Sequence, residues 1–565
     1  MATKSTVSFK IENNILFGKE APIDECINIG ELILSAFKSR PDFVGQVDAI
    51  TGEENTFDQM RERSVKCALW LKKFGVQRND IVVVCTSNYL DAYIPFLASL
   101  YIDATLIVWR ENRPINYRHY MRSGPKVIFT DVDKVSSILN VANMLNISTK
   151  IIVLFEEEEE EKEETEKVES INSILMNDFD EAEVDEFSCI KLESNKDIAV
   201  ILFSVGTIGD IRKHVTIPYA FFTSPSNQHV PIMSSNDVGM WNESLHWNIS
   251  LLLTVRCILS YVKAIKINEF LYPSLEMSFC NIIEKFKVTW VFLKISMGNH
   301  FYHFNVFKRY NLSSLKQIIF GGRLSIFPTI FDNFIISLQN ASVIQVYCLP
   351  EVGMITYQEK TGKSESSGYV CNNVNLAITH YISGILLEAN KLGIIQCKSP
   401  CLTNGCFSSL PVDLIPLPDD NNGWFCTDDV GYYDSDGELY VLDRTKNIIQ
   451  YRYNYFLPAS IEQLLRKHPK VRDCAVIPLY NTLDVHHPLA IVVPNKGAKI
   501  VQEELIQFVS ENAVDCLKLR GGVLFRHALK YLRNGQLDRR TLHKWAKDDL
   551  HDKAYFSRKA SQKKT

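Results

Sequence analysis

The chain has 565 residues, of which 46% are hydrophobic and 22% charged, so it is not a disordered, collagen-like or fibrous protein. It is longer than one hydrophobic core serves, which predicts two or more domains, and its net charge of −5 argues against nucleic acid as a bulk partner. Its 25 glycines fall well short of the ~40 that ordinary usage would supply, and phosphate-handling loops need glycine to bring backbone N–H groups close to a ligand.

In chain order, residues 1–6 begin no apolar run, so no secretory signal is expected. Residues 80–85, rich in valine, read as a buried strand, and residues 89–101 as an apolar helix. Residues 126–130 and 151–155 read as further short strands, and the alternation suggests βαβ units with a largely parallel sheet. The longest apolar stretch, 81–109, is broken by Asp91 and Asp103, so no membrane span is expected. The acidic run from Glu156 to Glu164 reads as a solvated loop, with an acidic partner patch as the alternative. Residues 197–203 form another strand. From Asp443 the pattern changes: Pro458 opens a helix to Lys467, strands follow at 474–479 and 488–493, and a helix at 502–517. This divides the chain into a domain at 1–442 and a small α+β domain at 443–565 with a disordered basic tail. The 14 cysteines are scattered without a CxxC pair, and Cys397, Cys401 and Cys406 have no nearby histidine, so reduced, mostly buried thiols in an intracellular protein are expected.

The strand at 197–203 runs into Ser204-Val205-Gly206-Thr207-Ile208-Gly209-Asp210-Ile211-Arg212-Lys213. Backbone N–H groups, hydroxyls and a lysine in that order suit a phosphate cradle, and equally an ordinary turn. Three stretches follow: Tyr347-Cys348-Leu349-Pro350-Glu351, then residues 423–431 ending Thr427-Asp428-Asp429-Val430-Gly431, then Leu442-Asp443-Arg444-Thr445-Lys446. This ordered set resembles the motifs of AMP-forming adenylating enzymes: acyl-CoA synthetases, firefly luciferases and nonribosomal adenylation domains. The chain is most similar to insect luciferase-like fatty acyl-CoA ligases, as Leu312-Ser313-Ser314-Leu315-Lys316, Leu519-Arg520-Gly521-Gly522-Val523 and Gly535-Gln536-Leu537-Asp538 also show.

The resemblance implies an α/β fold with a large multi-sheet N-terminal domain and a small α+β C-terminal domain joined by a hinge at Asp443. It implies ATP/AMP, Mg and CoA as cofactors and a fatty acid or other carboxylate as the small-molecule partner. Ser204, Gly206, Thr207, Gly209 and Lys213 would hold phosphate, while Gly322 and Tyr347 would meet the nucleotide. Glu351 would hold Mg²⁺. Asp429 would accept both ribose hydroxyls, as a carboxylate with two acceptor oxygens does well. Arg444 would support the ribose and phosphate, and His246 would line the acyl pocket. Alone, His246 and Tyr347 also read as core residues, and Asp429 as part of the turn before Asp434-Ser435-Asp436-Gly437.

Several positions depart from the family pattern. Gln536 stands where the family places a lysine that stabilises charge during adenylation, with Lys530 and Arg533 close in sequence. Val205 and Ile208 replace hydroxyl residues. Arg452-Tyr453-Asn454 replaces a glycine-containing loop of the thiol tunnel, and Gln450 replaces a lysine of the second half-reaction. Glycine positions hold His214, Val346, Cys348, Asp428 and Tyr453. Two expectations follow: a fatty acyl-CoA ligase of weakened or altered activity, or a catalytically inactive relative that binds nucleotide, acyl ligands or a partner. The ending Lys563-Lys564-Thr565 is not a Ser-Lys-Leu type of peroxisomal address, so cytoplasm is the default and the family's peroxisomal location the alternative.

Overall fold

A computed structural model describes residues 9–23, 27–86, 90–109, 117–118, 120–155, 168–177, 179–204, 213–267, 275–298, 301, 304–323, 328–402, 405–407, 415–416, 423–531 and 537–549. By internal contacts the chain forms two units. The first comprises Met1–Lys391, Ile395–Thr427 and Tyr432–Tyr440, and the second Val441–Thr565 with Leu392–Ile394 and Asp428–Gly431. The mixed α/β architecture is the expected one. The phosphate-loop residues Gly206, Thr207 and Gly209, the acidic run and Gln536 lie outside the described residues.

The first unit contains two nine-stranded sheets. One is built around Ile81–Cys85, Thr105–Val108, Val127–Asp131, Lys150–Phe155 and Ile198–Ser204, all joined in parallel. The Ile-Val-Val-Val-Cys sequence suits such a strand, because β-branched side chains pack on both buried faces. Ile198–Ser204 is followed by the antiparallel strand Lys213–Pro218, with Ser204 paired to Lys213, so these two residues frame the eight-residue phosphate-loop segment. The helix read at 89–101 begins later, at Tyr93, because Pro95 takes a first-turn position where its missing N–H costs no hydrogen bond.

The second sheet places Ser342–Leu349, Gln317–Gly322, Trp290–Lys294, Val238–Trp241, Lys263–Lys266 and Val44–Asp48 side by side and parallel. Parallel strands end on one edge, and in open α/β sheets that carboxyl edge is where ligands bind. Here the edge presents, strand by strand, the turn at Glu351, then Gly322, Lys294, the 243–246 segment and Lys266. Chain order would not place these together, since Lys266 comes between strands that it does not separate in space. The helix Asn248–Leu259 follows the 243–246 segment and is almost wholly buried.

In the second unit, Val471–Asn481 and Val485–Pro494 form a long hairpin flanked by Ile449–Tyr451, Asn454–Phe456 and Gly522–Phe525. Pro458 opens the helix Pro458–Arg466, whose Ile461 and Leu465 face a core with Val476, Val492, Leu505 and Val509. The helix expected at 502–517 stops at Asn512: Ala513 is extended, and only a short 3₁₀ turn follows at Asp515–Leu517. Of the twelve cysteines whose side chains are described, nine are buried and all are free thiols.

Candidate functional site

Glu351 sits in the turn that ends Ser342–Leu349. The residue is 6% exposed, and its Oε2 is buried with no hydrogen-bond donor among the described residues. A carboxylate oxygen held this way costs about 1–3 kcal/mol or more unless a cation or donor completes it. No group of three His, Cys, Asp or Glu side chains gathers as a metal site among the described residues. A hard cation at Glu351 would therefore draw its remaining oxygens from water and phosphate, which is how Mg²⁺ is commonly held beside a nucleotide. The donor set fits.

Tyr347 lies two residues before the end of the same strand, paired with Gly322 on its neighbour. Its ring is 1% exposed. A Cβ on Gly322 would meet Ile295 Cδ1 at 3.2 Å, so the strand end is close-packed on that side. Burial pushes the Cys348 thiol up to about 12, against the pull of the nearby Gly322 N–H and Arg323. Cys348 and Val346 are both buried apolar fillers of the sheet.

His246 belongs to a cluster that sequence spacing did not reveal. Glu243, with a 5% exposed side chain, accepts an ion pair from Lys294 Nζ at 2.6 Å and lies 3.4 Å from His246 Nε2. Lys294 Nζ is 3.5 Å from the same Nε2, and Ser244 Oγ hydrogen-bonds His246 Nδ1. An imidazole donating from Nε2 to Glu243 and accepting from the Ser244 hydroxyl at Nδ1 satisfies those two contacts, and leaves Lys294 Nζ paired with Glu243 rather than with the ring. Lys294 also lies 5.3 Å from the centre of the Trp247 ring. The available signal was weak: a lysine closing the apolar run Trp290-Val291-Phe292-Leu293.

In the second unit, Asp429 is fully buried and its Oδ1 lies 3.4 Å from Arg444 Nη1. Arg444 Nη2 is 3.8 Å from Asp428 Oδ2, and Arg444 Nε is buried without an acceptor among the described residues. Asp428 adopts φ +56°, the left-handed region that glycine enters without strain and aspartate tolerates better than most residues. Asp443 Oδ1 accepts from the Arg444 N–H at 2.8 Å and Asn447 Nδ2 at 2.6 Å. Burial raises the Asp443 carboxyl above its usual range, against the pull of Arg539.

The thiol-tunnel stretch is the turn between Ile449–Tyr451 and Asn454–Phe456. Arg452 takes φ +54° and bonds Asp484 at 2.7 Å, which leaves the Tyr453 side chain 97% exposed. His214 is 1% exposed and packs edge-on against Phe203 at 4.6 Å. For Ser204 and Lys213 the backbone register is the whole of the description.

Residues 36–407 match the family profile described as AMP-binding enzyme, and residues 460–536 that of the AMP-binding enzyme C-terminal domain. The chain is 24% identical over 517 residues to a luciferin 4-monooxygenase of Photinus pyralis, covering 89% of this chain and 91% of that protein. It is 26% identical over 507 residues to 4-coumarate:CoA ligase 1 of Petunia hybrida, covering 85% and 87%. Among solved structures, ATP-bound MatB from Rhodopseudomonas palustris shares the fold with a TM-score of 0.75 at 18% identity, over 92% of this chain and 99% of that one. No helix among the described residues is long and apolar enough to cross a membrane.

Proposed function

Given that the chain belongs to the AMP-binding enzyme family, we propose that it activates a carboxylic acid of the fatty acyl class with Mg-ATP, at reduced rate, and passes the acyl group to a thiol such as that of CoA. In the first step a carboxylate oxygen attacks the α-phosphorus, the bond to the β-phosphate bridge breaks, and pyrophosphate leaves with the electron pair. In the second a thiolate attacks the acyl carbon and AMP leaves. The observation that carries this reading is Glu351, whose buried Oε2 has no donor among the described residues and stands at the carboxyl edge of a parallel sheet. Asp429 would hold the ribose hydroxyls and Arg444 their phosphate side, using the Nε that lacks an acceptor among the described residues. Tyr347 would meet adenine only if the residues covering its ring part. His246, held by Glu243 and Ser244, would line the acyl pocket as an oriented imidazole.

Reduced rate follows from Gln536. An uncharged donor in place of a cation forfeits about 10²–10³ in rate if that contact is made only in the transition state. Carboxylate-dependent ATP–pyrophosphate exchange over a panel of acids tests the proposal, with exchange above a heat-denatured control expected. Absence of exchange with every acid, together with ligand-induced stabilisation by ATP or acyl-CoA, would replace it by the second reading, a non-catalytic binder. The exposed Tyr453 in the thiol-tunnel turn favours that second reading for the thioester step.

A further inference from the structure

Arg539 opens the helix 539–549, shortly after Gln536 in sequence. Its Nη1 donates to the Val476 carbonyl at 2.8 Å and lies 3.5 Å from Glu462 Oε1, while its Nη2 faces Asp443 Oδ2 at 3.7 Å. Glu462, on the helix Pro458–Arg466, also accepts the Val476 N–H at 2.8 Å. One guanidinium thus joins that helix, a strand of the long hairpin, the helix 539–549 and the turn at Asp443, all within the second unit. Asp443 and Glu462 are 7% and 5% exposed. Burial raises both carboxyls above their usual range, and in each case Arg539 is the cation that pulls hardest against it. Two buried carboxylates that share one cation depend on it strongly, because its loss leaves uncompensated charge in the interior.

The elements that Arg539 joins are far apart in sequence. Asp443 stands at the end of the strand Leu439–Arg444, before the turn Thr445–Asn447. Its Oδ1 is spent inside that turn, on the Arg444 N–H and Asn447 Nδ2. Its Oδ2 is the atom that reaches another element, and among the described residues Arg539 is its one ion-pair partner. At the other end, Asp538 caps the helix 539–549, accepting the Thr541 N–H at 3.0 Å and the Thr541 hydroxyl at 2.7 Å. The Asp538 N–H donates to the Lys530 carbonyl at 2.8 Å, and Leu537 pairs with Tyr531. The Tyr531 hydroxyl in turn donates to Asp473 at 2.7 Å. The start of this helix is therefore tied to Leu537, Tyr531 and the hairpin as well as to Asp443.

Resting on the reading of Asp443 as the hinge, and through it on the adenylating reading, we propose that Arg539 is a positioning residue of that hinge. It ties the backbone at Asp443 to the start of the helix 539–549, so a change of torsion at Asp443 is carried to residues 537–542. Leu537 directly follows Gln536, the position that the resemblance gives to the adenylation step. The same link therefore sets where residue 536 stands when the hinge turns. A planar guanidinium suits the task, since its fork of N–H groups reaches a carbonyl and two carboxylates at once and stays charged when buried.

The test uses the full chain and two readouts. Hydrogen-exchange mass spectrometry follows the segments 443–449 and 537–543, with the helix Gln502–Asn512, outside the cluster, as control. Arg539→Gln keeps a hydrogen-bond donor and removes the cation; Asp443→Asn keeps the Oδ1 acceptor and removes the anion. The expected result is at least about ten-fold faster exchange in both segments in either variant, with the control unchanged and the double variant no faster than the faster single one. The decisive effect is that of Asp443→Asn on 537–543, which a role confined to its own turn would not produce. Exchange at 537–543 unmoved by Asp443→Asn, a rise that includes the control helix, or additive effects in the double variant would overturn the proposal. Carboxylate-dependent ATP–pyrophosphate exchange is the second readout: Arg539→Gln should lower kcat about ten-fold and leave KM for ATP within about two-fold. A raised KM with kcat unchanged would overturn the placement of residue 536 by this link. No pyrophosphate exchange by the wild type with any acid would overturn the adenylation reading, and hydrogen exchange then decides the link by itself. Should Arg539→Gln fail to fold, Asp443→Asn decides by the same effect at 537–543.

Discussion

Glu351→Gln should make the unliganded protein more stable and its response to Mg-ATP weaker. The substitution keeps the shape of a side chain that is 6% exposed and removes the charge from a carboxylate whose Oε2 has no donor among the described residues. Relieving such a group is worth about 1–3 kcal/mol. The first unit holds roughly 430 residues, so at ~2.1 cal/mol/K per residue its unfolding entropy is about 0.9 kcal/mol/K. The melting temperature should then rise by about 1–3 °C. With Mg-ATP the order reverses: the wild type gains stability through its carboxylate–cation contact, and the variant should need at least about ten-fold more Mg²⁺ for the same shift. Differential scanning calorimetry at fixed ATP and graded Mg²⁺ reads both quantities. A lower melting temperature for the unliganded variant would show that Glu351 is a satisfied structural group. An unchanged Mg²⁺ titration would remove it from the nucleotide site.

Three further expectations concern other residues. His229 stacks on Tyr357 at 4.2 Å, accepts the Asn372 N–H at Nε2 and is brought down to about 4, chiefly by burial and then by Arg256. Since the unfolded imidazole protonates near 6.5, the stability present above that pH is lost as pH falls toward 4, by up to about 3 kcal/mol; denaturant unfolding at a series of pH values should show this loss flattened in His229→Gln, and identical slopes would refute it. Gln536→Lys should raise carboxylate-dependent pyrophosphate exchange about ten-fold or more, and no gain would mean that the phosphate-loop departures Val205 and Ile208 limit the rate. Gly322→Ala places a methyl 3.2 Å from the flexible end of Ile295, so it should cost less than about 1 kcal/mol in denaturant titration while weakening ATP binding; unchanged ATP affinity would dissociate Gly322 from the nucleotide.

The valine-rich strand at 81–85 and the α+β elements after Pro458 were legible because each is encoded within a few residues. Asp429 and Arg444 stand in short ordered motifs, and the structure brings them within 3.4 Å of each other. The ion pair of Glu243 with Lys294 was not, since the partners are 51 positions apart and meet only because the strand Trp290–Lys294 lies beside Val238–Trp241. Lys266 was hidden for the opposite reason: inside Ala264-Ile265-Lys266-Ile267 a single lysine reads as a strand's solvent face, and the sheet buries it instead. The helix after Gln502 was overextended because residues 513–517 keep a helical apolar spacing while the backbone at Ala513 is extended.

The left-handed turn at Asp428 bears on how such a chain drifts. The resemblance expects glycine there, yet the backbone still takes φ +56° with a carboxylate in its place. The strands on either side hold the main chain in a conformation that glycine would adopt without strain. An Asp428→Gly substitution removes a side chain and should relieve the strain of the left-handed conformation. At this one position a residue other than glycine holds the left-handed turn, at some cost in strain.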